Sequence, residues 1–488
     1  MTHQSTPVTI IDEHDARRIA NVHPADWVNP VPDDRYHLVV IGAGTAGLVT
    51  AAAAAGLGAR VALIEKHLMG GDCLNVGCVP SKALLAGARS GERNFGAVMS
   101  RMRRIRADLS SIDSASRFRD LGVDVFLGTA AFDGPDRITV AGQSLRFRRA
   151  VIATGARPAA PPIPGLDQVP HLTNETIFNL TEAPARLLVI GGGPIGCELA
   201  QAMARLGSTV TILDREPRLI THDDPDGAEL LAAALRRDGV TLELGVTIDR
   251  VSGGNGVSAS FHRDGNSGTA HGDALLVAAG RAPNVEGLGL ERAGIEVDKD
   301  GVKVDDHLRT TNRRVFAAGD VASRHQFTHV ADFQARIVVA NALFPGRQRA
   351  SSLVIPWCTY TDPEVAQVGL TAAAAEREGV AIDTVTVQWD EVDRAVLDGT
   401  TDGFVRLHLA SGTARLVGAT VVGAHAGDLI AEATLAITNG VDLGGIGGTI
   451  HPYPTLAEAY RKAADQWRRR KLTPFVRWVL GLWFRITR

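Results

Sequence analysis

Cysteine is scarce in this chain, with four in 488 residues, at positions 73, 78, 197 and 358. So few rule out a secreted scaffold held together by disulfides. No stretch of about 18 or more uncharged apolar residues is present, so no membrane span is expected. The first twenty residues, MTHQSTPVTIIDEHDARRIA, lack a basic start followed by an apolar run, and no signal peptide is expected. Charge of neither sign dominates. The net value of −3 gives no global reason to expect nucleic acid as a partner. These absences point to a soluble cytoplasmic protein in a reducing compartment. A close cysteine pair in such a compartment is more often catalytic or metal-binding than structural.

What is present is length and glycine. The chain is too long for one core, so two to four domains are expected. The 52 glycines and the alanine-rich runs suit an α/β protein with many tight strand-to-helix turns. Residues 1–35 are polar, contain several prolines and read as an arm. Next comes YHLVVIGAGTAGLVTAAAAAGLGARVALIEK. It has a β-branched run, a glycine turn, an alanine-rich helix and a second apolar run ending at Glu65. Gly42, Gly44 and Gly47 stand in G-x-G-x-x-G register, and Glu65 follows the last by 18 residues. In such a βαβ unit the first glycine makes the turn, the second lets backbone approach a pyrophosphate, and the third lets helix pack on strand. The helix N-terminus then presents N–H groups to phosphate, and the acid accepts from a ribose hydroxyl. The signature recurs in RLLVIGGGPIGCELAQAMARLGSTVTILDRE, with Gly191, Gly193, Gly196 and Asp214 at the same spacing. Two complete units imply two dinucleotides. PPIPGLDQVP at 161–170 reads as a hinge. Short strands fill 240–280, and from about 357 the pattern changes to mixed helix and strand without a further fingerprint.

Half of the cysteines fall within the six residues from Cys73 to Cys78, in GGDCLNVGCVPSK. Zinc wants four ligands in closely spaced sets, and here the other cysteines are single and distant. Two unrelated buried thiols are a second reading. A redox disulfide is favoured by the local chemistry. On one regular helix these positions would diverge by roughly 140°, too far for a disulfide. Gly77 and Pro80 place a helix start here instead, with Cys73 on the approaching turn and Cys78 near the helix N-terminus, where a thiol is acidified.

These stretches, together with VIATGARP, VFAAGD and TDPEVAQVGLT, resemble the flavin-dependent pyridine nucleotide–disulfide oxidoreductases over about residues 36–465. That family includes dihydrolipoamide dehydrogenase, glutathione reductase and mercuric reductase. The resemblance implies an α/β protein with two Rossmann-like dinucleotide-binding domains and a C-terminal α+β dimerisation domain. The expected divisions are an arm (1–35), an FAD domain (36–165 and 283–356), an NAD(P) domain (166–282), a dimerisation domain (357–466) and a tail (467–488). It implies FAD on the first unit, with Lys66, Thr154, Gly155, Gly319 and Asp320 joining Gly42, Gly44, Gly47 and Glu65 as cofactor-binding positions. It implies NADH or NADPH on the second, with Gly280 a further cofactor-binding position, and Asp214 favours NADH because a carboxylate repels a 2′-phosphate. Cys78 would be the thiol beside the flavin and Cys73 the interchange thiol that meets a small-molecule acceptor. Lys82 would lie near the flavin and pair with Glu198 near the nicotinamide. A homodimer is implied, and no metal site.

One motif departs from the disulfide reductases. Where they carry H-P-T-x-x-E, this chain has HPYPTLAEAY, which places Tyr453 at the histidine position ahead of Glu458, with His451 two residues earlier. A phenol titrating near pH 10 is a poorer proton carrier at neutral pH than imidazole. Mercuric reductase is similar in carrying tyrosine there, yet this tail lacks a C-terminal cysteine pair and the arm lacks a C-x-x-C module. The expected activity is electron transfer from NAD(P)H through flavin and the cysteine pair to a metal ion or small disulfide. The alternative is a diaphorase or quinone reductase working at the flavin. The basic tail, WRRRKLTPFVRWVLGLWFRITR, reads as an amphipathic helix opened by Pro474. It either docks on the protein's own dimerisation domain or lies on an anionic membrane surface.

Overall fold

The computed structural model describes residues 9–487. The chain divides into two compact units, one of residues up to 215 with 245–353, the other of residues 216–244 with those from 354 onward.

The first unit is built on strand Tyr36–Ile41, which pairs in parallel with Val61–Glu65 on one side and Gln143–Ile152 on the other. Val123–Leu127 extends the sheet in parallel beyond Val61–Glu65, and Val315–Ala317 pairs in parallel with the end of Gln143–Ile152. The β-branched runs are buried on both faces, as a parallel sheet requires. Leu38, Val40, Val61 and Leu63 pack into one cluster with Ala46, Ala51 and Val338. The alternate residues Val39, Ile41, Ala62 and Ile64 pack into another with Phe132 and Phe147. Each such aliphatic side chain contributes about 1.5–3 kcal/mol by burial, which fixes the register, because a one-residue slip would exchange the two faces. Helix Thr45–Gly56 lies on this sheet through alanines, whose small side chains allow close approach.

The second Rossmann unit repeats the plan within the same compact body. Strand Arg186–Ile190 pairs in parallel with Thr209–Asp214 and with Ala274–Val277. A three-stranded antiparallel meander, Thr247–Gly254, Gly256–Arg263 and Asn266–Gly272, precedes the last of these. Arg281–Pro283 then pairs antiparallel with Ala156–Pro158.

The other compact unit is α+β, as expected. Its five-stranded antiparallel sheet runs in the order Pro356–Thr359, Glu364–Gly369, Leu416–Gly423, Phe404–Ala410, Ile382–Gln388. Trp389 and Tyr460 are buried in its core, the indole N–H donating to the Val422 carbonyl at 2.5 Å and the phenol to that of Leu429 at 2.7 Å. Residues 216–244 bring helix Pro225–Arg237 into this unit, where Arg406 clasps Asp224 at 2.8 Å and Asp226 at 2.7 Å. The unit ends in helix Glu458–Arg470 and then helix Pro474–Ile486, opened by Pro474 as expected and capped by Thr473. No residue of this last helix is buried against its own domain. Arg488 lies outside the described residues.

Candidate active site

The two glycine fingerprints fold alike. A Cβ on Gly47 would stand 1.8 Å from the Gly42 carbonyl oxygen, and one on Gly196 would stand 1.9 Å from that of Gly191. The third glycine of each motif is thus what lets the helix seat on its own turn. The first glycine of each has positive φ, +100° at Gly42 and +116° at Gly191, with no room for a side chain against the neighbouring strand. The acids also correspond. Glu65 accepts from the Ala43 N–H at 2.7 Å, and Asp214 accepts from the Gly192 N–H. Each carboxylate is thereby held at the mouth of its glycine turn. Burial raises the Glu65 carboxyl, and the N–H groups of Ala43 and His67 oppose that shift.

A groove opens beside the first fingerprint, lined among others by Gly44, Glu65, Lys66, Thr154 and Gly155. Its donor set fits FAD. Glu65 could accept from a ribose hydroxyl, and the helix N-terminus after Gly44, with Lys66, could hold phosphates. Arg18 and Arg106 also line it, and each has a buried Nε with no partner among the described residues. The groove reaches Gly71, Asp72 and Val76 of the cysteine segment. A Cβ on Gly71 would meet the Gly44 Cα at 2.6 Å, so fingerprint and cysteine segment are pressed together. Gly319 donates its N–H to Gln334 at 2.8 Å, and Asp320 lies 3.4 Å from Arg281, which also bonds Asp72. Gly280, at φ +140°, directly precedes that arginine. Thr154 donates to the Asn284 carbonyl at 2.7 Å, and Gly155 accepts from the Asn284 N–H at 2.9 Å.

The cysteine segment breaks as the sequence predicts. Cys73 lies in the short helix Gly71–Asn75, and Cys78 is the first residue of helix Cys78–Arg89, with Pro80 in its first turn. Both are free thiols. Cys78 is exposed and its sulfur lies 3.3 Å from the Thr328 hydroxyl. A hydrogen bond from Cys73, aided by Thr328 and the Lys82 charge, brings the Cys78 thiol down to about 6 against the opposing effect of burial. The same bond, with burial, pushes Cys73 well up. One thiol is thus a stabilised thiolate and the other holds the proton. Lys82, one turn beyond Cys78, donates to both carboxylate oxygens of Glu198 at 3.0 and 2.8 Å. Glu198 sits on helix Pro194–Arg205, which follows the second fingerprint. Cys73, Cys78, Lys82 and Glu198 are therefore brought together.

Sequence reasoning missed several neighbours. Asp113 faces Cys73 and is raised to about 6 by burial. Arg281 joins Asp72 to Asp320 from the short strand that pairs with Ala156–Pro158. In the α+β unit Tyr453 is exposed and donates to Asp393 at 2.9 Å, and that carboxylate raises the phenol further. His451 is fixed by Glu432 at 2.9 Å and by the Thr449 carbonyl. Glu458 is buried and holds Arg461 at 2.5 Å.

Comparison with known proteins agrees with this geometry. Residues 36–335 match the pyridine nucleotide-disulphide oxidoreductase family, and residues 355–464 match its dimerisation domain. The chain is 37% identical over 454 residues to a mercuric reductase of Staphylococcus aureus, covering 88% of this chain and 82% of that protein. It is 32% identical over 459 residues to a dihydrolipoyl dehydrogenase of Chlamydia muridarum, covering 88% and 97%. Among solved structures, the HOCl-induced flavoprotein disulfide reductase RclA from Escherichia coli superposes with a TM-score of 0.82 at 30% identity, covering 88% of this chain and 99% of that one. With its paired fingerprints, its closely spaced Cys73 and Cys78 and its dimerisation domain, the chain belongs to the pyridine nucleotide-disulphide oxidoreductases, as an FAD- and NAD(P)H-using enzyme of the mercuric reductase and lipoamide dehydrogenase type.

Proposed function

We propose that the enzyme passes electrons from NADH to Cys73 and Cys78 and from them to a small acceptor, a metal ion or a small disulfide. The carrying observation is the asymmetric thiol pair at a helix start, with Cys78 acidified to about 6 beside the Lys82–Glu198 pair. FAD, when bound, supplies the step between the nicotinamide hydride and the Cys73–Cys78 disulfide. Cys78, stabilised as thiolate by the helix N-terminus and Lys82, is the thiol that faces the flavin. Cys73 is the interchange thiol. With a small disulfide, the Cys73 sulfur attacks one sulfur and forms a mixed disulfide, and its proton leaves with the displaced group as a thiol. Cys78 then attacks the Cys73 sulfur, releases the second thiolate and restores the pair. The reading of NADH over NADPH rests on Asp214, held at its turn to accept from a 2′-hydroxyl.

Tyr453 is a proton donor but a poor base, so acceptors whose turnover needs an imidazole are disfavoured. A homodimer is supported by the dimerisation domain and by the exposed side chains of Leu397, Leu435, Ile450 and Tyr453. In it Tyr453 and Glu458 complete the partner's site. The decisive experiment is anaerobic titration with NADH. Uptake of four electrons per FAD, falling to two in Cys73→Ser with loss of acceptor turnover, supports this reading. Two-electron uptake, with turnover intact in Cys73→Ser, assigns the enzyme to the diaphorase class.

The tail extends the proposal to location, at the inner surface of the cytoplasmic membrane. Among the described residues no helix is long and apolar enough to cross a membrane. Helix Pro474–Ile486 instead exposes Phe475, Trp478, Leu482, Trp483 and Ile486, and positions 466–488 contain no acid. A Trp/Phe/Leu face beside arginines suits an anionic lipid surface. Sedimentation with phosphatidylglycerol and phosphatidylcholine vesicles tests it. Binding to the first alone, weakened by salt and lost on ending the chain at Lys471, is expected. No difference between the full and shortened chains would overturn it.

A further inference from the structure

The family match begins at residue 36, yet the segment before it reaches into the heart of the redox site. Helix Glu13–Val22 lies along helix Phe95–Ser110 and is fastened there largely by buried charge. Asp15 is fully buried and accepts from Arg106 at 2.7 Å and from Arg18 at 3.4 Å. Arg103 is paired with Asp12, the helix N-cap, at 2.6 Å. Arg18 is 4% exposed and Arg106 1%.

Both arginines converge on one residue. The Arg18 Nη1 donates to the Asn75 side-chain oxygen at 2.7 Å, and the Arg106 Nη1 donates to the Asn75 backbone carbonyl at 2.7 Å. The Asn75 amide donates in turn to the carbonyls of Met69 and Gly71, at 3.0 and 2.9 Å. Asn75 ends the short helix that carries Cys73 and lies three residues before Cys78. Two more ties join the arm to the start of this segment. The Met69 N–H donates to the Val22 carbonyl at 3.2 Å, and the His23 ring bonds the His67 carbonyl.

Burying guanidinium groups is a costly way to fasten a terminal helix, since apolar side chains do it without desolvating charge. What this arrangement adds is directional: a fixed position for Asn75 and hence for the break between the two cysteine-bearing helices. We propose that the N-terminal segment is a working part of the redox site, with Arg18 a positioning residue that acts through Asn75 to fix the break between the helices that carry Cys73 and Cys78. The ionisable groups that shift the pair include Lys82, Glu198 and Asp113, none of them on the arm. The direct tie from the arm to the cysteine segment runs through Asn75.

This rests on the cysteine pair being the working pair, and alkylation reads the thiols without turnover, so the two ideas fail separately. The measurement is the pH dependence of iodoacetamide alkylation of Cys78 in the reduced full-length holoenzyme, followed by mass spectrometry. Arg18→Met and Arg18→Lys are compared with Arg17→Ala, a change on the exposed side of the same helix, where Arg17 pairs with Asp108. Losing the Cys73 hydrogen bond moves the half-point upward, so Arg18→Met is alkylated at least about threefold more slowly near pH 6. Arg18→Lys falls between it and the wild type, and Arg17→Ala matches the wild type. Should Arg18→Met fail to retain FAD, Arg18→Lys decides alone. A wild-type profile in the Arg18 variants that retain FAD, or an equal shift in Arg17→Ala, would overturn the proposal.

Discussion

The two thiols differ in their surroundings, and the difference assigns their roles. The interaction with Cys73, together with Thr328 and the Lys82 charge, lowers the Cys78 thiol, and the same interaction and burial raise Cys73, so the negative charge is favoured on Cys78 at its helix start. Cys78→Ser in the reduced holoenzyme is expected to abolish the long-wavelength thiolate–flavin absorbance. Cys73→Ser is expected to keep or strengthen it while turnover with the acceptor is lost. Absorbance spectra of the two reduced variants check this, and the reverse pattern would exchange the assignments. Tyr453 carries a second residue-scale prediction. Its phenol is raised by Asp393 and stays protonated through the neutral range. Tyr453→His places there a group that titrates near neutrality, and activity toward small disulfides should rise by about tenfold or more between about pH 6 and pH 8. If FAD content is intact and no gain appears, the pocket rather than the missing imidazole excludes disulfides.

At the scale of elements, the duplicated fingerprint separates the two nucleotide sites experimentally. A methyl at Gly47 or at Gly196 collides with the carbonyl of its own turn, within 2 Å in both cases. Gly47→Ala should yield protein that retains little FAD. Gly196→Ala should retain FAD but bind NADH at least about tenfold more weakly, because only the second turn is displaced. Flavin absorbance and NADH titration distinguish the two, and equal loss of FAD in both would mean the units do not work independently. Both βαβ units, and the helix start at Cys78, were legible because glycine and proline encode local backbone geometry. The arm was not. Its helix buries Asp15 and Arg18 rather than an apolar stripe, so periodicity reads it as polar surface. Arg106, which pairs with Asp15, lies 91 positions away in sequence, and Asn75, which accepts from Arg18, lies 57 positions away. Arg281 and Asp113 escaped for the same reason, since each is defined by a contact across the fold. Likewise, residues 216–244 join the α+β unit through contacts such as Arg406 to Asp224, 182 positions apart in sequence.

At the scale of the whole molecule, the proposed site is shared between two copies of the chain, and sharing has an arithmetic consequence. In the proposed two-fold dimer each site would take its cysteines from one subunit and its Tyr453 from the other. A Cys73→Ser homodimer lacks the interchange thiol in both sites, and a Tyr453→Phe homodimer lacks the phenol in both. Mix the two variants so that subunits exchange, and the heterodimer holds one site with both defects and one with neither. With random pairing, half of the dimers are heterodimers and half of their sites are whole, so activity should recover to about a quarter of the wild-type value. The tyrosine change is suited to this test because its side chain is exposed and its hydroxyl bonds exposed Asp393, so its loss should not unfold the domain. Acceptor turnover measured before and after co-refolding or co-expression, with size-exclusion confirming dimers, gives the answer. Activity no greater than the sum of the two parents would place Tyr453 outside the shared site and leave each subunit to work with its own residues alone.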